Sequence, residues 1–124
     1  MNKSKDKKIL VVDDNLEMCK LIEKVLIKEG YEIIIASDGE EALDKVKNKK
    51  DIKLVIADIK MPKKDGVNLL KEIQEDYPTI KVILMTAYGD VEQYLQMMDM
   101  GAYEYMPKPI KIDELVRVVK KAMK

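Results

Sequence analysis

Short apolar runs alternate with amphipathic stretches along the whole chain. Ile9-Leu10-Val11-Val12 and Leu54-Val55-Ile56-Ala57 are uninterrupted and rich in β-branched residues. Runs of this length and type read as strands buried on both faces of a parallel sheet. The pattern predicts strands over 8–12, 31–36, 53–57, 81–85 and 103–106. Between them, apolar positions recur at helical spacing. Helix one follows Asn15, carries Met18, Ile22, Val25 and Leu26 on one face, and ends at Gly30. Helix two, over 39–47, buries Ala42, Leu43 and Val46. Helix three turns Leu69, Leu70, Ile73 and Tyr77 inward, and Pro78 ends it. Helix four, over 90–100, has Val91, Tyr94, Leu95 and Met98 at helical spacing and Gly101 at its C-terminal end. Helix five follows Lys111, with Ile112, Leu115, Val116, Val119 and Met123 inward. Five β/α units joined by right-handed crossovers give an α/β sandwich, a sheet between two helical layers.

Composition narrows the function. A chain of 124 residues suits one domain, read as 1–124 with a polar, lysine-rich extension over 1–7. There are 23 basic and 23 acidic side chains, so net charge points to neither nucleic acid nor membrane. No apolar stretch approaches the roughly 20 residues of a membrane span, and no signal-peptide core follows the N-terminus, so a cytoplasmic location is expected. The lone Cys19 excludes an intrachain disulfide and reads as a packing residue within helix one. The chain has no histidine, so no His phosphodonor, general base or metal ligand comes from it. The clustered Met97, Met98 and Met100 read as core and edge packing, and the lysine-rich 47–53 stretch as a solvated connector.

The chemistry sits where strands end. Asp13 and Asp14 follow strand one, and Asp58 follows strand three. Ligands of open α/β sheets lie beyond the carboxyl ends of the strands. If the two strands are neighbours, three carboxylates converge there and repel. A hard divalent cation such as Mg²⁺, held through carboxylates and waters, is the natural counter-charge. Asp58 is then placed to accept a phosphoryl group beside the metal. Helix capping would explain one Asp at such a turn, but not two together with Asp58. Thr86 and Ala87 follow strand four, and Lys108 and Pro109 follow strand five, on the same sheet edge. Metal, ammonium and hydroxyl would neutralise and bind the equatorial oxygens while Asp58 attacks in line.

These pieces together resemble the response-regulator receiver domain of two-component signalling, the CheY-like fold. The motifs are Val12-Asp13-Asp14-Asn15, Asp58-Ile59-Lys60-Met61-Pro62 with Asp65-Gly66, Met85-Thr86-Ala87, Gly101-Ala102 and Tyr105-Met106-Pro107-Lys108-Pro109, in order from about Lys8 to Lys121. The resemblance implies a flavodoxin-like (βα)5 three-layer sandwich with a parallel five-stranded sheet of order 2-1-3-4-5. It implies that Asp58 is phosphorylated by a sensor histidine kinase. It implies Mg²⁺, for which Mn²⁺ can substitute, on Asp13, Asp58 and the Lys60 backbone carbonyl, with Asp14 acting mostly through water. Thr86 and Lys108 would contact the phosphoryl group beside Ala87, Tyr105 would be the switch aromatic, and Lys108–Pro109 would be a cis peptide bond. Lys60 and Tyr88, two positions beyond Asp58 and Thr86, would tune dephosphorylation.

Within the family, Lys60 and Met85-Thr86-Ala87-Tyr88-Gly89 are similar to single-domain receivers of the sporulation phosphorelay. Such receivers hand the phosphoryl group to a further phosphotransfer protein. Tyr105 and Met106-Pro107-Lys108-Pro109 also look like receivers that precede ATPase and DNA-binding domains. Ile110 stands where many receivers carry Phe. The expectation is a phosphorylation switch rather than an enzyme, working as a monomer or weak dimer. Its output would be protein–protein contact through helix four, strand five and helix five, or through helix one. The alternative is a receiver cut from a transcriptional regulator. An Asp-nucleophile Mg²⁺ phosphohydrolase is disfavoured, because Lys60 stands where such enzymes place a second acid. A flavodoxin-like FMN protein is disfavoured by the absence of Trp and by the charge of Asp13-Asp14.

Overall fold

The computed structural model describes residues 7–49, 51–60, 64–87 and 91–124. The elements alternate strictly: β1 (Lys8–Val12), α1 (Leu16–Lys28), β2 (Glu32–Ala36), α2 (Gly39–Asn48), β3 (Ile52–Asp58), α3 (Gly66–Asp76), β4 (Lys81–Thr86), α4 (Val91–Asp99), β5 (Glu104–Pro107) and α5 (Ile112–Ala122). All strand pairs are parallel, and the sheet order is β2-β1-β3-β4-β5. Chain order reverses at β1 and β3, so a crevice opens above their carboxyl ends.

Alternation along each strand sends the side chains of its apolar run to both faces of the sheet. Ile9, Val11, Leu54, Ile56, Ile83 and Met85 face one way, into a core closed by Cys19, Ile22 and Leu26 of α1 and Leu115, Val118, Val119 and Ala122 of α5. Leu10, Val12, Val55, Ala57, Val82 and Leu84 face the other way, onto Ala42 and Val46 of α2, Leu69, Leu70 and Ile73 of α3, and Met97 of α4. The three central strands β1, β3 and β4 are thus sealed on both faces.

The helix ends follow local chemistry. Asn15 caps α1, its side chain accepting from the amides of Glu17 and Met18. Asp38 caps α2 through the Glu41 amide, and Asp65 caps α3 through that of Asn68. Gly30 and Gly101 take positive φ just past α1 and α4.

Several sequence expectations shift. Strands β3 and β4 run one residue further than expected, so Asp58 and Thr86 are their last residues rather than the first beyond them. In α4 the buried side chain is Met97, whereas Val91 and Leu95 are 75% and 60% exposed. This helix covers the sheet's β4–β5 end, where one methionine and the flanks of Tyr94 and Met98 suffice to close the core. In α5 the inward stripe is Leu115, Val118, Val119 and Ala122, at offsets of three, four and seven residues. Ile112, expected inward, lies exposed in the first turn, and Val116 lies at the edge of the stripe. Tyr77 is the C-terminal cap of α3 and only partly buried. Residue Asp90, expected to open helix four, lies outside the described residues.

Candidate functional site

Strands β1 and β3 are hydrogen-bonded neighbours, with Val12 beside Ala57. The next residues, Asp13 and Asp58, therefore meet at one edge of the sheet. Oxygens of Asp13, Asp14 and Asp58 lie within 4.8 Å of one another. Asp13 is 1% exposed and Asp58 9%, while Asp14 is open to solvent.

Each buried carboxylate is held at both oxygens. Asp13 Oδ1 accepts from the Asn15 amide at 2.9 Å, and Asp58 Oδ1 from the Lys60 amide at 3.2 Å. Their Oδ2 atoms share Lys108, whose Nζ lies 3.2 Å from Asp13 and 2.7 Å from Asp58. Burial pushes the Asp13 carboxyl above its ordinary value, because the Asn15 amide and Lys108 only partly offset the lost hydration. Burial alone would lower Lys108. The hydrogen bonds and charge of Asp58 and Asp13 outweigh it and leave the ammonium raised. One fixed cation faces three carboxylates, so the cluster retains the charge and the oxygen donors that suit a metal ion.

The far side of the site is set by β4 and β5. Thr86 is buried, and its carbonyl accepts from the Lys108 amide at 2.7 Å, which aims the Lys108 side chain back across the sheet edge. The Lys108–Pro109 peptide bond is cis. Ala87 follows Thr86 at the surface. Tyr105 is buried on β5. Its hydroxyl donates to Gln93 Oε1 of α4 at 2.5 Å, and its ring meets Tyr94 edge-on at 5.7 Å. Lys60 is exposed directly beyond Asp58. Tyr88 lies outside the described residues. Sequence reading did not anticipate Gln93, which has no motif to mark it, nor Asp38, whose burial depends on how α2 seats against the sheet.

The family model "Response regulator receiver domain" matches residues 9–120. The chain belongs to that family. It is a receiver domain of the kind found in two-component response regulators. The receiver is 38% identical over 115 residues to the transcriptional regulatory protein ZraR of Klebsiella oxytoca, covering 93% of this chain and 26% of that protein. It is 40% identical over 109 residues to the transcriptional regulatory protein CpxR of Escherichia coli (strain K12), covering 88% and 46%. The receiver thus spans a quarter to about half of these relatives. Among solved structures it resembles a receiver domain from Clostridium thermocellum, at 36% identity and TM-score 0.87, covering 94% of each chain. It also resembles the beryllofluoride-activated receiver domain dimer of NtrC4, at 32% identity and TM-score 0.88, covering 94% and 95%. Among the described residues of the receiver, no helix is long and apolar enough to cross a membrane.

Proposed function

We propose that this receiver accepts a phosphoryl group on Asp58 from a sensor histidine kinase and assists that transfer with its own side chains. The observation that carries the reading is the convergence of Asp13, Asp14, Asp58 and Lys108 on one sheet edge. In the transfer, a carboxylate oxygen of Asp58 bonds to phosphorus as the bond from phosphorus to the donor imidazole nitrogen breaks, and the imidazole leaves with the electron pair. The amide of Lys60 orients Asp58 through Oδ1, so Oδ2 is the oxygen to be freed from Lys108. Lys108 then follows the new negative charge onto a phosphoryl oxygen. The Thr86 hydroxyl and the Ala87 backbone bind the remaining oxygens. Asp13, Asp58 and the Lys60 carbonyl, with Asp14 through water, would hold Mg²⁺ or Mn²⁺. Such a cation supplies charge neutralisation of the transferring group.

The test is direct. Incubation with acetyl phosphate and Mg²⁺ should add one phosphoryl group by mass, and Asp58→Asn should gain none. Equal labelling of Asp58→Asn would move the acceptor elsewhere.

The output is a change of protein contacts. The apolar side chains exposed on α4 and the Gln93–Tyr105 hydrogen bond beneath them support a readout through α4, β5 and α5. The likeness to ZraR and CpxR favours a receiver that governs a transcriptional output. Onward transfer to a histidine phosphotransfer protein would instead place it in a relay, and incubating the phosphorylated receiver with such proteins separates the two.

A further inference from the structure

We propose that Gly39, the first residue of α2, is a positioning residue for phosphoryl transfer at Asp58. Its amide donates to the backbone carbonyl of Lys64 at 3.0 Å. A Cβ on Gly39 would collide with that carbonyl oxygen and lie 2.7 Å and 2.8 Å from the Cβ and carbonyl carbon of Lys64. These are mostly backbone atoms, so no side-chain rotation relieves the contact. The Gly39 backbone is helical, which any residue adopts, so the close approach and not the dihedral angles calls for glycine.

The contact reaches the site through few bonds. Lys64 lies two residues before Gly66, whose amide donates to the Ile59 carbonyl at 2.8 Å. A Cβ on Gly66 would lie 2.5 Å from the carbonyl oxygen of Asp58. The chain from Lys64 to Gly66 is therefore pressed between α2 and the backbone of Asp58 and Ile59. The next amide, that of Lys60, holds Asp58 Oδ1. Displacing Lys64 from α2 moves the segment that packs on the acceptor's own backbone. Groups that orient ligands from outside the immediate site typically shift metal affinity by about 10- to 100-fold.

The inference rests on the acceptor reading of Asp58, and its main readout does not. In Gly39→Ala the circular dichroism should stay that of the wild type, because Ala is the better helix former. The amide resonances of Ile59 and Lys60 should shift in the metal-free protein. Mg²⁺ affinity by calorimetry should fall about tenfold or more. Glu40→Ala, one residue on and exposed, should leave both unchanged. Wild-type Mg²⁺ affinity in a folded Gly39→Ala protein would overturn the proposal, whether or not the amides move. Should Gly39→Ala fail to fold, the wild type decides. Mg²⁺ with beryllofluoride must slow hydrogen exchange at the Gly39 amide, since coupling between two positions is reciprocal. Unchanged exchange there would overturn it equally. Labelling of Asp58→Asn by acetyl phosphate would defeat the acceptor reading, and with it the role of Gly39 in phosphoryl transfer, while the Mg²⁺ affinity of Gly39→Ala still decides whether Gly39 positions the carboxylate edge.

Discussion

The Lys108 ammonium sits 2.7 Å from Oδ2 of Asp58, so the proposed acceptor is already paired with a cation before a phosphoryl group arrives. The same ammonium reaches Asp13 at 3.2 Å, and Asp13 is almost wholly buried. Lys108 thus compensates two carboxylates that repel each other. Its replacement by an apolar chain of similar length tests that role. Lys108→Met should destabilise the metal-free protein by about 1–3 kcal/mol, the cost of leaving a buried polar group without its partner. Urea unfolding in a chelating buffer measures it, and a change within error would assign Lys108 to phosphoryl binding alone.

The pH dependence has a sign for each partner. The folded Asp13 carboxyl binds its proton more tightly than the unfolded one. Its contribution therefore falls as pH rises from the ordinary value of 3.8 through the raised folded value. Metal-free Asp13→Asn should lack this loss and be more stable than wild type at neutral pH, with the difference vanishing in acid. Lys108 behaves in the opposite region. Its stabilisation is complete below the ordinary value of 10.5 and is lost as pH rises through the higher folded value. Urea midpoints across both windows, for wild type and Asp13→Asn, check the two signs.

Cation binding should stabilise the fold by mass action, because the three carboxylates are assembled only in the native state. At about 100 times the dissociation constant of Mg²⁺ the gain is about 2.7 kcal/mol. Asp13→Ala should abolish it. Thermal melts with and without Mg²⁺ provide the measurement.

Val91 and Leu95 stand exposed on α4 above the Gln93–Tyr105 hydrogen bond. Leu95→Ser should change folding stability by no more than about 0.5 kcal/mol, as at other exposed positions. It should leave acetyl phosphate labelling intact and weaken self-association or partner binding of the beryllofluoride-treated protein. Sedimentation velocity distinguishes this from a purely structural helix face.

Lys60 is exposed two residues beyond Asp58, at one of the two positions where the family resemblance places control of dephosphorylation. Lys60→Asn together with Tyr88→Ala should shorten the lifetime of the phosphorylated protein without reducing its labelling. Decay of the labelled mass over time reads it, and an unchanged lifetime removes both residues from dephosphorylation control.

The apolar pattern of the chain by itself determined the alternation of strands and helices. Runs such as Leu54-Val55-Ile56-Ala57 have no polar face, so they can only lie within a sheet covered on both sides, and the acids that follow them then fall on its carboxyl edge. Hence Asp13, Asp58, Thr86 and Lys108 were legible as one constellation before any contact was known. The inward face of α4 was not legible. Val91, Leu95 and Met97 are all apolar, and periodicity cannot say which of them meets the sheet when the helix covers only an edge strand pair. Nor could sequence show that Lys108 lies between Asp13 and Asp58. That contact spans 95 and 50 residues and depends on the order of β1, β3, β4 and β5. The approach of Gly39 to Lys64 was equally hidden. A glycine opening a helix reads the same whether it faces solvent or the backbone of another segment, and only the packing of α2 beside the segment that precedes α3 decided which.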